Sequence, residues 1–327
     1  MALTLRRGTV TAVHEQVPGL ARIDVDGSPC VAYLDLTGPV EEGDDVLVNV
    51  QARELELGSG GFHVLHANLS RGLGLPAAPG AHVMKLPYTP IQFAVRHGEE
   101  DGELPASLEG MPVVACSLHS QVAPVCAALA GLPVAYVQFE GGALALALSD
   151  TLRALRAAGL LQLTIGAGAC FGGDLNAVSV YSALALGRGR DADVIVAGIG
   201  PGVVGTASTT GHGGTAAAAA LLAAEALGGR GVLALRLSER DPRDRHRGIS
   251  HHSESVLGLV SGGCELAWPA GCQLAEPPEG AVEVDVAGWE EACSGLPLSH
   301  MGRGPDEDPC FFAAAFAAGR RARQLLE

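Results

Sequence analysis

From Met111 onward, short apolar runs alternate with longer segments of helical periodicity, and no other feature of the sequence limits the fold so tightly. PVVACS, VAYVQF, LQLTIGAG, DVIVAGIG, VLALRLS and CELAWP have the length and apolar density of strands buried on both faces. Between them lie HSQVAPVCAALAG, SDTLRALRAAG, DLNAVSVYSALALG, GGTAAAAALLAAEALGG and SHHSESVLGLVSG, each read as a helix, with Ser149 placed to cap the second. Repeated β-α units of this kind build an open parallel sheet with helices on both faces. A weaker run, VEVDVAG, and the closing segment FFAAAFAAGRRARQLLE extend the pattern to the C-terminus. The expectation is a doubly wound, three-layer α/β domain over residues 111–327.

Residues 1–69 follow a different period. GTVTAVHE, ARIDVDG, CVAYLDL, DDVLVNVQA and FHVLHANL alternate apolar and polar positions. They are split by turn signals at Pro18-Gly19, Asp26-Gly27, Gly38-Pro39, Glu42-Gly43-Asp44 and Gly58-Ser59-Gly60-Gly61. Short alternating strands with tight turns predict a small closed β-barrel. Residues 70–110 break the pattern with prolines, glycines and the acidic stretch Glu99–Glu103, and read as a linker or wrapping segment. Inside it AHVMKLPYTPIQ, which carries Lys85, the chain's one lysine, is expected to lie against the second domain.

Composition limits the partners. The 327 residues suit about two domains of ~150 residues. An apolar share of 48% against 17% charged residues excludes a disordered chain. A net charge of -15 disfavours nucleic acid and anionic membrane, since both attract an excess of Lys and Arg. The opening MALTLRRGTV carries no secretory signal, and the Ala-rich stretch around Glu225 is too short and too weakly apolar to span a bilayer. The eight cysteines include no C-x-x-C pair, and Cys116 and Cys126 sit in apolar runs where buried, reduced thiols are expected. These features predict a cytoplasmic protein and leave a homo-oligomer open.

Ligands of open parallel sheets bind beyond the carboxyl ends of the strands. Three loops qualify. The first, after LQLTIGAG, carries Gly166, Gly168, Gly172, Gly173 and Asp174; it reads equally as a tight turn with Asp174 capping a helix. The second, after DVIVAGI, holds Gly200, Gly202, Gly205, Thr206, Gly211, His212, Gly213 and Gly214. Its GPGVVG string matches G-x-G-x-x-G, but too much loop intervenes before the helix, and no acidic residue follows at ~20 residues, so a dinucleotide site is rejected. Its density of glycine and hydroxyl groups still suits a phosphate or carboxylate, or a tightly packed turn. The third loop, after VLALRLS, places Arg240, Arg243, Arg245 and Arg247 among Asp241 and Asp244. Arginine forks suit anions, whereas arginines that pair with neighbouring carboxylates make an ordinary solvated loop.

His246, His251 and His252 raise the question of a metal. Adjacent helical positions point ~100° apart, which places His251 and His252 poorly for one ion, and no H-x-x-x-H or H-E-x-x-H spacing occurs. No metal is expected. Nucleophiles are sparse: there is no G-x-S-x-G, and Cys170, between glycines at the approach to a helix, reads as an inert thiol rather than one activated by a lowered pKa.

With AHVMKLPYTPIQ, GPGVVGTASTTGHGG, DPRDRHRGISHHS and HMGRGPDEDPCFFAAAFAAG in view, the chain resembles an uncharacterised bacterial domain-of-unknown-function family over nearly its whole length. That resemblance implies no activity, substrate or catalytic residue.

The functional expectation is binding, with or without turnover, of an anionic small molecule such as a phosphorylated metabolite or nucleotide. It would sit between the glycine-rich loop and Arg243, Arg245 and Arg247. If turnover occurs, His212 or His252 is the proton-transfer candidate and Asp174 an orienting carboxylate. The alternatives are a non-catalytic regulatory or scaffolding protein that binds a protein partner, and a metal-dependent hydrolase.

Overall fold

The computed structural model describes residues 3–56, 61–71, 73–76, 78–260 and 263–327. The expected turn at Gly58-Ser59-Gly60-Gly61 lies, apart from Gly61, outside them, as do Ser261 and Gly262 at the expected end of SHHSESVLGLVSG. The chain divides into two compact units, Met1–Arg96 and His97–Glu327.

In the first unit, β1 (Leu5–Val17), β2 (Leu20–Val25), β3 (Ser28–Tyr33), β4 (Asp45–Asn49) and β5 (His63–Asn68) close into a barrel in the order β1-β2-β3-β5-β4. Register shifts in β1 at Val10/Ala12 and Val13/Glu15 let one long strand pair with β2 along one part and β4 along another. Alternate residues Ile23, Val25, Cys30, Ala32, Val46 and Val48 fill the interior. CVAYLDL does not stay a strand throughout: Leu34–Thr37 forms a helical turn, α1, closed by Gly38 at φ 74° with its N–H on the Leu34 carbonyl. A second such turn, α2 (Gln51–Glu54), follows β4. AHVMKLPYTPIQ supplies β6 (Val83–Lys85), which pairs with β7 (Phe93–Val95) as a hairpin within this unit.

The second unit is built on β8 (Pro112–Cys116), β9 (Val134–Phe139), β10 (Leu163–Ala167), β11 (Leu175–Ala177), β12 (Val194–Ile199) and β13 (Arg230–Ala234). The short antiparallel pair β14 (Leu237–Ser238) and β15 (Gly248–Ile249) follows, then β16 (Glu265–Pro269) and β17 (Val282–Val284). Eight of these strands form one sheet, β11-β10-β9-β12-β8-β13-β16-β17, parallel at every pairing. Successive strand residues face opposite layers. Val113, Ala115, Ala135, Val137, Ile195, Ala197 and Leu233 pack toward α5 (Val180–Gly189), α6 (Ala216–Ala226) and α7 (His251–Leu259). Val114, Cys116, Val134, Tyr136, Val194, Val196, Val232 and Ala234 pack toward α3 (Val122–Ala128), α4 (Asp150–Ala157) and α9 (Pro309–Gln324), with α8 (Trp289–Ala292) beyond them. This is the three-layer α/β arrangement the apolar runs predict.

One local expectation changes. DLNAVSVYSALALG is not helical from its start; Leu175–Ala177 joins the sheet as β11, and Ser179, not Asp174, caps α5 by accepting from the Ser182 N–H. The strands β12 and β13 are not neighbours, because β8 lies between them. Cys116 and Cys126 are buried free thiols. Among the described residues no helix is long and apolar enough to cross a membrane, and the Ala-rich stretch is the eleven-residue α6.

Candidate functional site

The strand order creates a crevice. The chain leaves β8 for α3 on one face of the sheet, whereas it leaves the flanking strands β12 and β13 for α6 and α7 on the other. Connections that diverge to opposite faces open a gap at the carboxyl ends, the place where ligands of such sheets bind.

Four histidines fill this place. His212 arrives on the loop after β12, and His246, His251 and His252 on the segment after β13. The His212 and His252 rings are stacked, 3.8 Å between centroids and 8° apart in plane. The His251 ring stands edge-on to both, 5.3 Å from His212 and 4.6 Å from His252. His246 lies 4.7 Å from His251, with its Nδ1 2.6 Å from the Ser250 hydroxyl. That hydroxyl also accepts the His252 N–H and so caps α7. The two loops therefore meet across the end of β8, although their strands do not touch. Gly214 makes the approach feasible: a Cβ there would lie 3.1 Å from the Ser117 carbonyl of the β8 loop, 3.1 Å from His212 Nδ1 and 3.3 Å from His252 Nδ1.

His212 is 6% exposed, and neither ring nitrogen has a hydrogen-bond partner. The Thr209 carbonyl faces the ring without hydrogen-bond geometry and already accepts from the Ser255 hydroxyl at 2.6 Å. His251 Nε2 is likewise buried and unpartnered. Unpaired buried polar atoms cost about 1–3 kcal/mol each, so native proteins rarely keep them without a purpose. Burial, reinforced by nearby positive charge, lowers the pKa of all four rings, to about 3 at His246 and about 2 at His252. They are neutral at pH 7.

Beneath the histidines lies a buried ionic network. Arg236, 2% exposed at the end of β13, places Nη1 3.3 Å from His252 Nδ1 and Nη2 3.1 Å from Asp241 Oδ2. Burial lowers its pKa to about 10, so it stays charged. Asp241 also accepts from Arg243 and from Arg303, which reaches on to Asp308 at 3.3 Å. Asp308 in turn accepts from the Ser238 hydroxyl at 2.5 Å and the Glu239 N–H at 3.1 Å. His300 stacks on Phe311 at 3.8 Å beside this network. Three guanidiniums against two carboxylates leave the floor of the crevice positive.

The residues singled out in the sequence take different places. Arg243 is held by Asp241; Arg247 donates to the Asp241 carbonyl and pairs with Asp244. Arg245 is exposed and, among the described residues, makes no ion pair; its charge is felt by His251. Gly200 and Gly213 are required by packing, because a Cβ on either would collide with the carbonyl of Ala143 or Gly141 in the loop after β9. The Gly213 N–H is taken by the Val204 carbonyl at 2.7 Å. Gly205 pairs with His212 in an isolated bridge, and Thr206 bonds within its own loop, to Ser208 and the Gly211 carbonyl. Gly202 turns the chain at φ 75°, and Gly211 packs against the Thr206 and Ser208 hydroxyls. Asp174 accepts from the Thr164 N–H and hydroxyl and pairs with Arg156, toward the amino end of β10 and away from the histidines. Sequence reasoning missed Arg236, His300, Arg303 and Asp308. The cluster of polar residues in HMGRGPDEDP ahead of an apolar helix was the available signal.

The spacing argument against a shared ion does not carry into three dimensions. The His251 and His252 rings stand 4.6 Å apart at the start of α7, and His212 joins them from the loop after β12. One ring nitrogen from each of the three lies within 4.8 Å of the others.

Fold and site together define a two-unit protein: a closed five-stranded barrel, then a doubly wound parallel sheet with a histidine-arginine cluster at its switch point. The chain belongs to the family of proteins of unknown function DUF3866, whose model matches residues 29–319. Among curated proteins none matches it.

Proposed function

We propose that the crevice over the ends of β8, β12 and β13 binds an anionic small molecule, with a phosphorylated metabolite or a nucleotide as the expected class. The observation that carries this reading is His212, nine-tenths buried at the switch point with both ring nitrogens unpartnered. A ligand oxygen would accept its N–H. The positive floor set by Arg236 favours an anion there, and the exposed Arg245 offers a fork at the rim. Arg243 and Arg247 support the loop and do not face the ligand. A neutral histidine at pH 7 can also donate or take one proton, so His212 is the residue for any acid-base step. Asp174 has no part in it.

A thermal-shift screen of phosphorylated metabolites and nucleotides tests the reading. A ligand at 100 times its Kd adds ~2.7 kcal/mol of stability, a clear rise in Tm. No stabiliser in such a panel, or one whose effect survives His212→Ala, would remove the reading.

A further inference from the structure

We infer that His212, His251 and His252 form a site for one divalent transition-metal ion of the nitrogen-preferring kind, Zn2+ or Co2+. Three imidazole nitrogens, one from the loop after β12 and two from the first turn of α7, lie within 4.8 Å of one another. Tetrahedral coordination at ~2.0–2.1 Å places ligand nitrogens ~3.4 Å apart, so the pairs close by about 1.4 Å at most. Buried, unpartnered nitrogens on His212 and His251 supply the second observation, independent of proximity.

Ring orientation sets the structural cost. Parallel rings 3.8 Å apart have no shared in-plane point, so one of the stacked pair must turn for both to ligate. His212 is the ring free to do so, because it has no hydrogen bond to lose. His251, at 78° and 74° to the other two, faces them without rearrangement. Arg236 opposes a cation through its 3.3 Å contact with His252, but Asp241 takes up part of its charge. Three nitrogen ligands leave a fourth position open, the arrangement of a catalytic rather than a structural zinc site. This deepens the anion reading by giving the anion, or a water molecule, a place on the metal.

The test uses metal alone, with no anionic ligand. Chelator-treated full-length protein is titrated with Co2+, the visible absorption of the bound ion is followed, and Zn2+ is used to compete it off. One ion per chain with a Zn2+ Kd tighter than about 10 µM is expected. His251→Ala, at a partly buried position, and His212→Gln should each weaken binding at least 100-fold, with circular dichroism and Tm confirming the fold. His82→Ala, outside the site, should bind as wild type. Absence of saturable 1:1 binding overturns the inference, as does a loss under tenfold in both site variants. Stabilisation by phosphorylated compounds in a protein that binds no metal leaves the anion reading standing and ends this one.

Discussion

Arg243 grips Asp241 through three hydrogen bonds, Nε to Oδ1 and Nη2 to Oδ2 at 2.9 Å each and its backbone N–H to Oδ1 at 3.1 Å. Burial alone would raise the Asp241 carboxyl, yet the hydrogen bonds and charge of Arg243, with the charge of Arg236, hold it well below the usual carboxylate range. Asp241 is fully buried and is the acidic partner of Arg236. Asp241→Ala therefore strands a buried guanidinium and should cost about 3–5 kcal/mol, measured by urea unfolding. A loss under about 1 kcal/mol would show that Arg236 does not depend on this carboxylate.

The two neighbouring arginines should separate stability from binding. Arg243→Ala removes hydrogen bonds to a buried carboxylate but from a partly solvated side chain, so about 1–2 kcal/mol of stability should go. Affinity for any ligand found by thermal shift should change less than about threefold. Arg245→Ala should leave Tm unchanged and weaken that ligand about tenfold or more. Isothermal titration of both variants decides; the reverse pattern would return Arg243 to the ligand and take Arg245 away.

Much of this architecture was legible in the sequence because burial is periodic. Val113 to Cys116 and Val194 to Ile199 read as strands since both faces are apolar, and the barrel strands read from alternation such as Ile23, Val25 and Cys30. Strand order was not legible. Nothing local in VIVAGI or VLALRLS reports that β8 lies between them. His212 and His252 stand out separately in the sequence, but their stacking depends on a loop crossing the end of β8. The glycine density that suggested ligand binding is explained at Gly200 and Gly213 by backbone packing against the loop after β9. An acid before a helix, such as Asp308, carries no local sign of a buried network; only the fold brings Ser238 and Arg303 to it.

Acid should destabilise the second unit partly through His119. Its Nδ1 is 3.0 Å from the Ile199 carbonyl and its Nε2 is 2.7 Å from the Ser149 hydroxyl. Burial pushes its pKa down from 6.5 to about 4, while the bond to Ile199 acts the other way. The unfolded chain takes up a proton below pH 6.5 that the folded chain refuses until about pH 4. Stability is thus complete above pH 6.5 and falls as pH drops through that window. One such group contributes a slope of up to about 1.4 kcal/mol per pH unit. Urea unfolding at pH 7, 6 and 5 should show that His119→Gln flattens the dependence by up to this amount. An identical slope in wild type and variant would exclude His119.

A fragment of residues 97–327 should fold better than one of residues 107–327. The turn Gly98–Asp101 is tied to the second unit: Glu99 accepts the Val178 N–H at 2.7 Å, and Asp101 pairs with Arg190 at 2.9 Å. Leu104 also packs on the larger core. Melting followed by circular dichroism should place the longer fragment several degrees higher. Equal Tm values would show that residues 97–106 contribute no stability.

The central claim is that a ligand reaches the unpartnered ring of His212. The most direct measurement is a long-range proton–nitrogen spectrum of the histidine rings, recorded while the strongest stabiliser from the phosphorylated-compound screen is titrated in. Assignment comes from His212→Gln and His251→Ala. The account predicts that the His212 ring nitrogens shift in step with ligand occupancy, while those of His14, on the barrel, stay fixed. A ligand that saturates the protein and leaves the His212 signals unmoved would contradict it.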